Sequence, residues 1–137
     1  MVASTNRSTR TCFWGELLST AAVARGATGC VIDGYVRDAL RIMEMAFPVF
    51  STGFRPVDSS SRSTVVGFGT PVEVGGVIVH PGDIVFGDFD GIVVIPRARL
   101  ADTVEAALSK VTGENLSREM LQQGAMLRDV YDRFGVL

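Results

Sequence analysis

Apolar positions along this chain change their spacing twice. Trp14, Leu17, Leu18, Ala21 and Ala22 recur at i, i+3, i+4, i+7 and i+8, the period of an amphipathic helix that Gly26 ends. Gly29 to Ile32 is a short apolar run closed by Asp33-Gly34, which predicts a buried strand. Val36, Ala39, Leu40, Met43 and Phe47 make a second helical stripe ended by Pro48, and Pro48-Val49-Phe50 predicts the next strand of a parallel arrangement. In the middle third the spacing shortens to that of strands. Ser59, Ser60, Ser61 and Ser63 mark a loop, after which Val72, Val74, Val77 and Val79 flank Gly75-Gly76 as a two-residue hairpin would require. Asp83 to Phe86 and Gly91 to Ile95 predict two more strands about the turn 87–90. Beyond Pro96 the helical period returns, with Leu100, Val104, Ala107, Leu108 and Val111 on one face, and Leu116, Met120 and Leu121 on a continuation after Gly113. No internal repeat is visible. Residues 1–11 are rich in Ser, Thr, Asn and Arg, carry no period, and are expected to be poorly ordered. The pattern thus predicts an irregular segment over 1–13 and a single α/β domain over 14–137, in which helices and parallel strands meet an antiparallel β layer.

Composition narrows the classes of function. The 137 residues are 47% hydrophobic and 20% charged, the size and balance of one domain with a sizeable core. Thirteen basic residues against fifteen acidic ones give a net charge of -2, so no basic footprint for nucleic acid or an anionic membrane surface is present. The longest apolar runs, such as Ile92 to Ile95, are far shorter than the ~20 residues that span a bilayer. The N-terminal stretch has no apolar core of a secretory signal, and Cys12 and Cys30 are two isolated thiols that suit a reducing cytosol. A cytoplasmic protein is therefore expected. One His and no close Cys pair exclude a structural zinc site, so any metal would be a hard cation held by carboxylates.

Three segments could carry chemistry. Gly15-Glu16-Leu17-Leu18 opens a helix, where free N–H groups beside a glycine make an anion site; the plainer reading is Glu16 set against the helix dipole. Asp33-Gly34-Tyr35-Val36-Arg37-Asp38 turns from a strand end toward a helix. Ligands of open α/β sheets sit at such ends, and Arg37 and Asp38 could converge there on a small anion; an exposed pair at a helix start is the alternative. Gly87-Asp88-Phe89-Asp90-Gly91 lacks the spacing and closing Glu of a calcium loop and reads as a tight hairpin. His80 has no nucleophile marked out beside it and is taken as structural, and Tyr131 and Met43, Met45, Met120 and Met126 as packing groups.

Together the first two segments are more specific than either alone. Twenty residues lie between Glu16 and Arg37, and Asp38 follows directly. This arrangement, with WGELL, GCVIDGYVRD, FPVF and VGGVIVHPGDIVFGDFDGIVVIP, resembles the RraA-like family. That family includes 4-hydroxy-4-methyl-2-oxoglutarate (HMG) aldolases with oxaloacetate decarboxylase activity and regulators of ribonuclease E. The intact Arg-Asp pair favours the aldolase branch. The resemblance implies a layered α/β/β sandwich of the phosphohistidine-domain-like type and a lyase that forms a pyruvate enolate. It implies that Gly15, Glu16, Leu17 and Leu18 hold the substrate carboxylate through their N–H groups. Arg37 would bind the keto oxygen, gaining strength as that oxygen becomes an enolate. Asp38 would ligate Mg²⁺ or Mn²⁺ directly and Glu16 through water, while a water on the metal or a carboxylate would accept the 4-hydroxyl proton. Glu114 falls roughly where the family supplies an acid to a neighbouring subunit's site, which implies a homotrimer. The resemblance also leaves room for a regulator that covers an RNA-processing enzyme, and for a non-catalytic subunit assembling with a longer homologue.

Family members carry several dozen residues ahead of the Gly-acid-Leu-Leu helix, among them a strand ending in Asp-Gly. MVASTNRSTRTC stands in that place here. The expectation is a fold without the family's usual N-terminal part, with an open sheet edge and with the metal-site residues kept while folding and activity suffer.

Overall fold

The computed structural model describes residues 1–135. The chain divides into two compact units, Met1–Pro81 and Gly82–Leu137.

The first unit runs β1 (Val2–Ala3), β2 (Cys12–Trp14), α1 (Glu16–Val23), β3 (Cys30–Ile32), β4 (Tyr35–Val36), α2 (Ala39–Glu44), β5 (Val49–Phe50), β6 (Gly53–Phe54), β7 (Val72–Val74) and β8 (Val77–Val79). The first six strands form two parallel sheets, β1-β3-β5 and β2-β4-β6. Three times the chain leaves a strand of the first sheet, turns, and enters the matching strand of the second. Parallel neighbours need long crossovers, and α1 and α2 supply them between β2 and β3 and between β4 and β5. The parallel run predicted from Gly29 to Phe50 is present, with Cys30 opposite Val49. The predicted hairpin is present as well: β7 and β8 pair antiparallel with Val74 opposite Val77. Gly75 and Gly76 take φ of 61° and 85°, the left-handed values this two-residue turn demands.

Trp14, Ala22, Cys30, Ile32, Val36, Ile42 and Phe47 form the buried core of this unit. The helices dock on it differently from the sequence expectation. Leu17, Leu18, Leu40 and Met43 are exposed, while Ser19 and Ala22 of α1 and Ile42 of α2 are buried. Val36 belongs to a strand, so the second helical stripe begins later than its period suggests. The close docking of α1 has a polar reason. Trp14 Nε1 donates to Ser19 Oγ at 2.8 Å, and that hydroxyl donates to the Gly15 carbonyl at 3.1 Å. A buried indole N–H thus has its partner, which only a small hydroxyl residue on that face provides.

Residues 1–13 are not the irregular segment expected. They hold β1, parallel to β3 with Val2 opposite Val31, and most of β2. The Met1 ammonium donates to the Gly29 carbonyl at 2.9 Å, and Val31 N–H donates to the Met1 carbonyl. Between the strands, the Asp33 carboxylate accepts from the Thr5 and Arg7 N–H groups and from the Ser4 and Thr5 hydroxyls. Burial pushes the Asp33 carboxyl up, but these four donors outweigh it and hold the pKa below its ordinary value. The polar composition read as disorder is therefore the donor set of one carboxylate.

The second unit holds β9 (Ile84–Gly87), β10 (Ile92–Ile95), a short 3₁₀ turn at Arg97–Arg99, α3 (Leu100–Gln122) and α4 (Leu127–Phe134). β9 and β10 pair antiparallel with Gly87 opposite Ile92. Asp88 closes their turn, its Oδ1 accepting from the Asp90 and Gly91 N–H groups at 2.9 and 3.2 Å. The hairpin reading of this acidic loop holds. α3 runs through Gly113 as one helix, and the predicted face bearing Val104, Leu108, Val111 and Leu116 is exposed. Ser117 and Val130 are the buried positions of α3 and α4. Tyr131, Met43 and Met126 are exposed rather than packed; Met45 lies against the core and the Met120 sulfur accepts from Arg133 Nη1 at 3.7 Å. No helix among the described residues is long and apolar enough to cross a membrane.

Candidate functional site

The sheet β2-β4-β6 sets out the site. Gly15 and Glu16 follow the carboxyl end of β2, Arg37 and Asp38 follow that of the central strand β4, and the chain beyond β6 leads to Asp58. Side chains at neighbouring parallel strand ends are brought side by side, the usual place for a ligand in a parallel sheet. Backbone bonds fix the spacing: Arg37 N–H donates to the Trp14 carbonyl at 2.9 Å, and Cys12 N–H to the Val57 carbonyl at 2.8 Å.

A cleft of about 610 Å³ opens there, lined by Glu16, Leu17, Arg37, Asp38 and Arg41. Asp38 precedes α2 with φ 57° and ψ 31°, a left-handed conformation that a non-glycine residue adopts at a cost. That backbone turns its carboxylate back toward α1, where Oδ2 accepts from the Glu16 N–H at 3.2 Å and lies 3.5 Å from Arg37 Nε. Gly15 makes the approach possible. A Cβ there would stand 2.8 Å from Asp38 Oδ2 and 3.2 Å from both Cγ and Nε of Arg37. Glu16 is held by Thr20, whose hydroxyl donates to Oε1 at 3.0 Å. Arg41 pairs with Glu44 at 2.9 Å on the exposed side of α2.

On its other flank Arg37 Nη1 donates to Asp58 Oδ2. Asp58 in turn accepts the Ser60 N–H on Oδ1. That backbone bond, seconded by Arg37, holds the Asp58 carboxyl below its ordinary pKa. The hydrogen bond to Asp58 raises the Arg37 pKa, so the guanidinium is a permanent cation. Under the site lies Cys12, whose thiol is pushed up by burial, with Arg37 opposing the shift. It is a neutral thiol at pH 7.

Most of the residues picked out by sequence meet here. Glu16, Leu17, Arg37 and Asp38 line the cleft, Gly15 is buried behind Arg37 and Asp38, and Leu18 is not among the lining residues. The expected row of free N–H groups at the start of α1 is shortened, because Asp38 already occupies the Glu16 N–H. Glu114 stands on α3 in the second unit, paired with Lys110 at 3.5 Å. Among the described residues no three His, Cys, Asp or Glu side chains gather as a metal-binding group. Sequence reasoning missed Asp58 and Arg41. The Asp58-Ser59-Ser60 run carries an Asx-turn signal, but nothing local says that the freed carboxylate oxygen reaches Arg37.

The site thus sits on a mixed α/β fold, with an Arg-Asp pair at the end of the central strand of a parallel sheet. The chain belongs to the RraA-like (Aldolase/RraA) family, whose model matches residues 1–94. It is 40% identical over 120 residues to an uncharacterized protein of Methanocaldococcus jannaschii, covering 88% of this chain and 57% of that one. It is 27% identical over 117 residues to a provisionally named 4-hydroxy-4-methyl-2-oxoglutarate aldolase of Halalkalibacterium halodurans, covering 85% and 55%. Among solved structures it is similar to Streptomyces coelicolor RraAS2, an unusual member of the RNase ES inhibitor RraA protein family. The TM-score is 0.79 at 34% identity, over 87% of this chain and 61% of that one. The chain thus spans little more than half the length of the curated relatives named here.

Proposed function

We propose that this chain is a divalent-metal-dependent lyase that cleaves HMG to two pyruvates and decarboxylates oxaloacetate through the same enolate. The observation that carries the reading is the convergence of Glu16, Arg37 and Asp38 on one cleft at the end of β4. Similarity to relatives named as HMG aldolases supports it.

The donor set fits a hard cation. Glu16 and Asp38 offer oxygen ligands to the cleft, and the contacts of Asp38 run through Oδ2, which leaves Oδ1 for an ion. One or two carboxylates with water completing the shell is how Mg²⁺ is usually held. Charge points the same way: Glu16, Asp38 and Asp58 outnumber Arg37 and Arg41, so a doubly anionic substrate needs added positive charge. When bound, Mg²⁺ or Mn²⁺ supplies Lewis acidity for the keto oxygen. Asp38 would hold it directly and Glu16 through water, with Glu114 of a neighbouring copy in a homotrimer completing the site.

The protein's own groups do the rest. The N–H groups of Leu17 and Leu18, beside Gly15 and Glu16, take the substrate carboxylate at the start of α1. In the aldol cleavage the 4-hydroxyl gives up its proton to the Glu16 carboxylate and its O–H pair becomes the new carbonyl. The C3–C4 bond breaks, and its electrons form the enolate of the first pyruvate. Arg37 bonds the oxygen on which that charge settles, an interaction stronger in the transition state than in the substrate. The C4 fragment, now a ketone, is the second pyruvate, and return of the proton from Glu16 to C3 of the enolate completes the first. In oxaloacetate the C3–C4 bond breaks with loss of CO₂ and gives the same enolate.

Purified protein with Mg²⁺ and HMG or oxaloacetate is expected to release pyruvate, and Asp38→Ala to abolish it. A folded wild-type chain that releases none overturns the reading. Similarity to RraAS2 favours a second reading, a regulator that binds an RNA-processing enzyme through its surface. Stabilisation by Mg²⁺ in a thermal melt separates the two, since only a ligand bound by the folded state raises apparent stability.

A further inference from the structure

We propose that Asp58 is a positioning residue of this site, fixing the Arg37 guanidinium so that its remaining N–H edge is set to receive the oxygen of a 2-oxo acid. The inference rests on the lyase reading above and adds a residue to it.

A guanidinium carries five N–H donors in one plane. In Arg37 two parts of that plane are engaged: Nε lies 3.5 Å from Asp38 Oδ2, and Nη1 donates to Asp58 Oδ2. The contacts fall on different nitrogens, so together they fix both the position of the group and its rotation. Nη2 is left for a ligand in the cleft that Arg37 lines.

Asp58 is itself held on three sides. Its Oδ1 accepts the Ser60 N–H, its carbonyl accepts from Arg62 Nη1 at 3.2 Å, and the preceding residue is bonded to β2 through Cys12 N–H and the Val57 carbonyl at 2.8 Å. Both partners are partly exposed, 38% for the Arg37 side chain and 41% for Asp58, and an exposed pair adds little to stability. What the pair supplies is orientation. An enolate oxygen rewards an aligned N–H far more than a roaming one, because the donor does not reorganise as charge develops.

The test is a double-mutant cycle on oxaloacetate decarboxylation by the full chain with Mg²⁺, using Asp58→Ala, Arg37→Ala and the double variant. Asp58→Ala is expected to lower kcat about tenfold with KM changed less than about twofold, the pattern of an interaction made mainly in the transition state. In the Arg37→Ala background the same substitution should cost nothing further, and Asp58→Glu should recover part of the loss. An equal loss with and without Arg37, or an unchanged kcat, overturns the inference. If Asp58→Ala fails to fold, Asp58→Asn keeps the shape and carries the cycle. Side-chain ¹⁵N NMR gives a reading independent of turnover: with oxalate as probe, the Arg37 Nη groups should rotate slowly in the wild type and freely in the Asp58 variant. Free rotation in the wild type overturns the inference. Slow rotation in a chain that releases no pyruvate overturns the lyase reading and keeps the clamp.

Discussion

The Glu16 backbone N–H donates to Asp38 Oδ2 across 3.2 Å, so the first turn of α1 is bonded to the residue that precedes α2. That contact exists because Gly15 has no side chain. Its φ of -159° is one that any residue adopts, so the demand for glycine here is steric and comes from the site. Gly15→Ala would place a methyl 2.8 Å from Asp38 Oδ2 and press on Arg37. The expected cost is about 1–3 kcal/mol of stability, typical of inserting a methyl into a filled space. Loss of function should be larger: displacement by an ångström of both charged groups is expected to lower pyruvate release about a hundredfold. Urea denaturation read beside turnover checks both. An alanine variant with wild-type turnover would show that the cleft tolerates a displaced Asp38.

Asp38 separates stability from function in the opposite sense. Its left-handed backbone costs a residue with a Cβ about 1–2 kcal/mol, less for Asp or Asn, and nothing for glycine. Asp38→Gly is therefore expected to fold with stability within about 1 kcal/mol of the wild type, the relieved strain offsetting the lost bond to Glu16. Asp38→Asn keeps the conformation and an acceptor for that N–H. Both variants lose the charge, and pyruvate release should fall a hundredfold or more, about the scale on which one electrostatic group of a site acts. Thermal melts with and without Mg²⁺ give a second reading, with the metal-dependent shift expected in the wild type and absent in both variants.

Parts of this were legible because the cause is local. Gly75-Gly76 announces its hairpin, since only such a pair takes two left-handed φ values cheaply. That Arg37 and Asp38 share one cleft was legible because a strand end followed by a helix puts both residues at one spot. β1 was not legible, because two residues, Val2 and Ala3, show no period and pair only through the distant Val31 and Ile32. The same holds for Asp58, whose value lies in reaching a guanidinium twenty-one positions earlier. The faces of α1 and α2 were misread for a different reason. These helices are only eight and six residues long and touch the core through Ser19, Ala22 and Ile42, so the larger leucines of the stripe point outward. The threefold strand–turn–strand repeat of the first unit likewise leaves no trace in residue identity; it lives in the pairing alone.

Ser19 tests that account of α1. It is fully buried, and its hydroxyl is both acceptor for the Trp14 indole and donor to the Gly15 carbonyl. Ser19→Ala removes one oxygen and strands a buried N–H, which should destabilise the fold by about 1–3 kcal/mol. Adding Trp14→Phe removes the stranded donor, so the double variant is expected to cost less than the two single changes together, apart from the cavity the smaller ring leaves. Additive losses would show that the hydroxyl acts only through packing.

The Asp33 clamp makes the stability of residues 1–8 depend on pH. Its carboxyl is held below the ordinary value, so between the folded and unfolded pKa values the unfolded chain binds more protons than the native one. Stability from this group is therefore complete above the ordinary carboxylate range and is lost as pH falls through the depressed folded pKa. Asp33→Asn should lower stability by about 1 kcal/mol near neutrality, a discounted figure because the group is only half-buried and the amide still accepts some of the bonds. The gap between wild type and variant in urea midpoints should be flat above about pH 5 and close below about pH 4. Hydrogen exchange locates the effect. Thr5 and Arg7, whose N–H groups donate to Asp33, should lose protection in the variant, and Val31, which β1 covers through the Met1 carbonyl, should follow in part. A gap that widens on acidification would mean that Asp33 is protonated in the folded chain and that the N-terminal strand is held by other bonds.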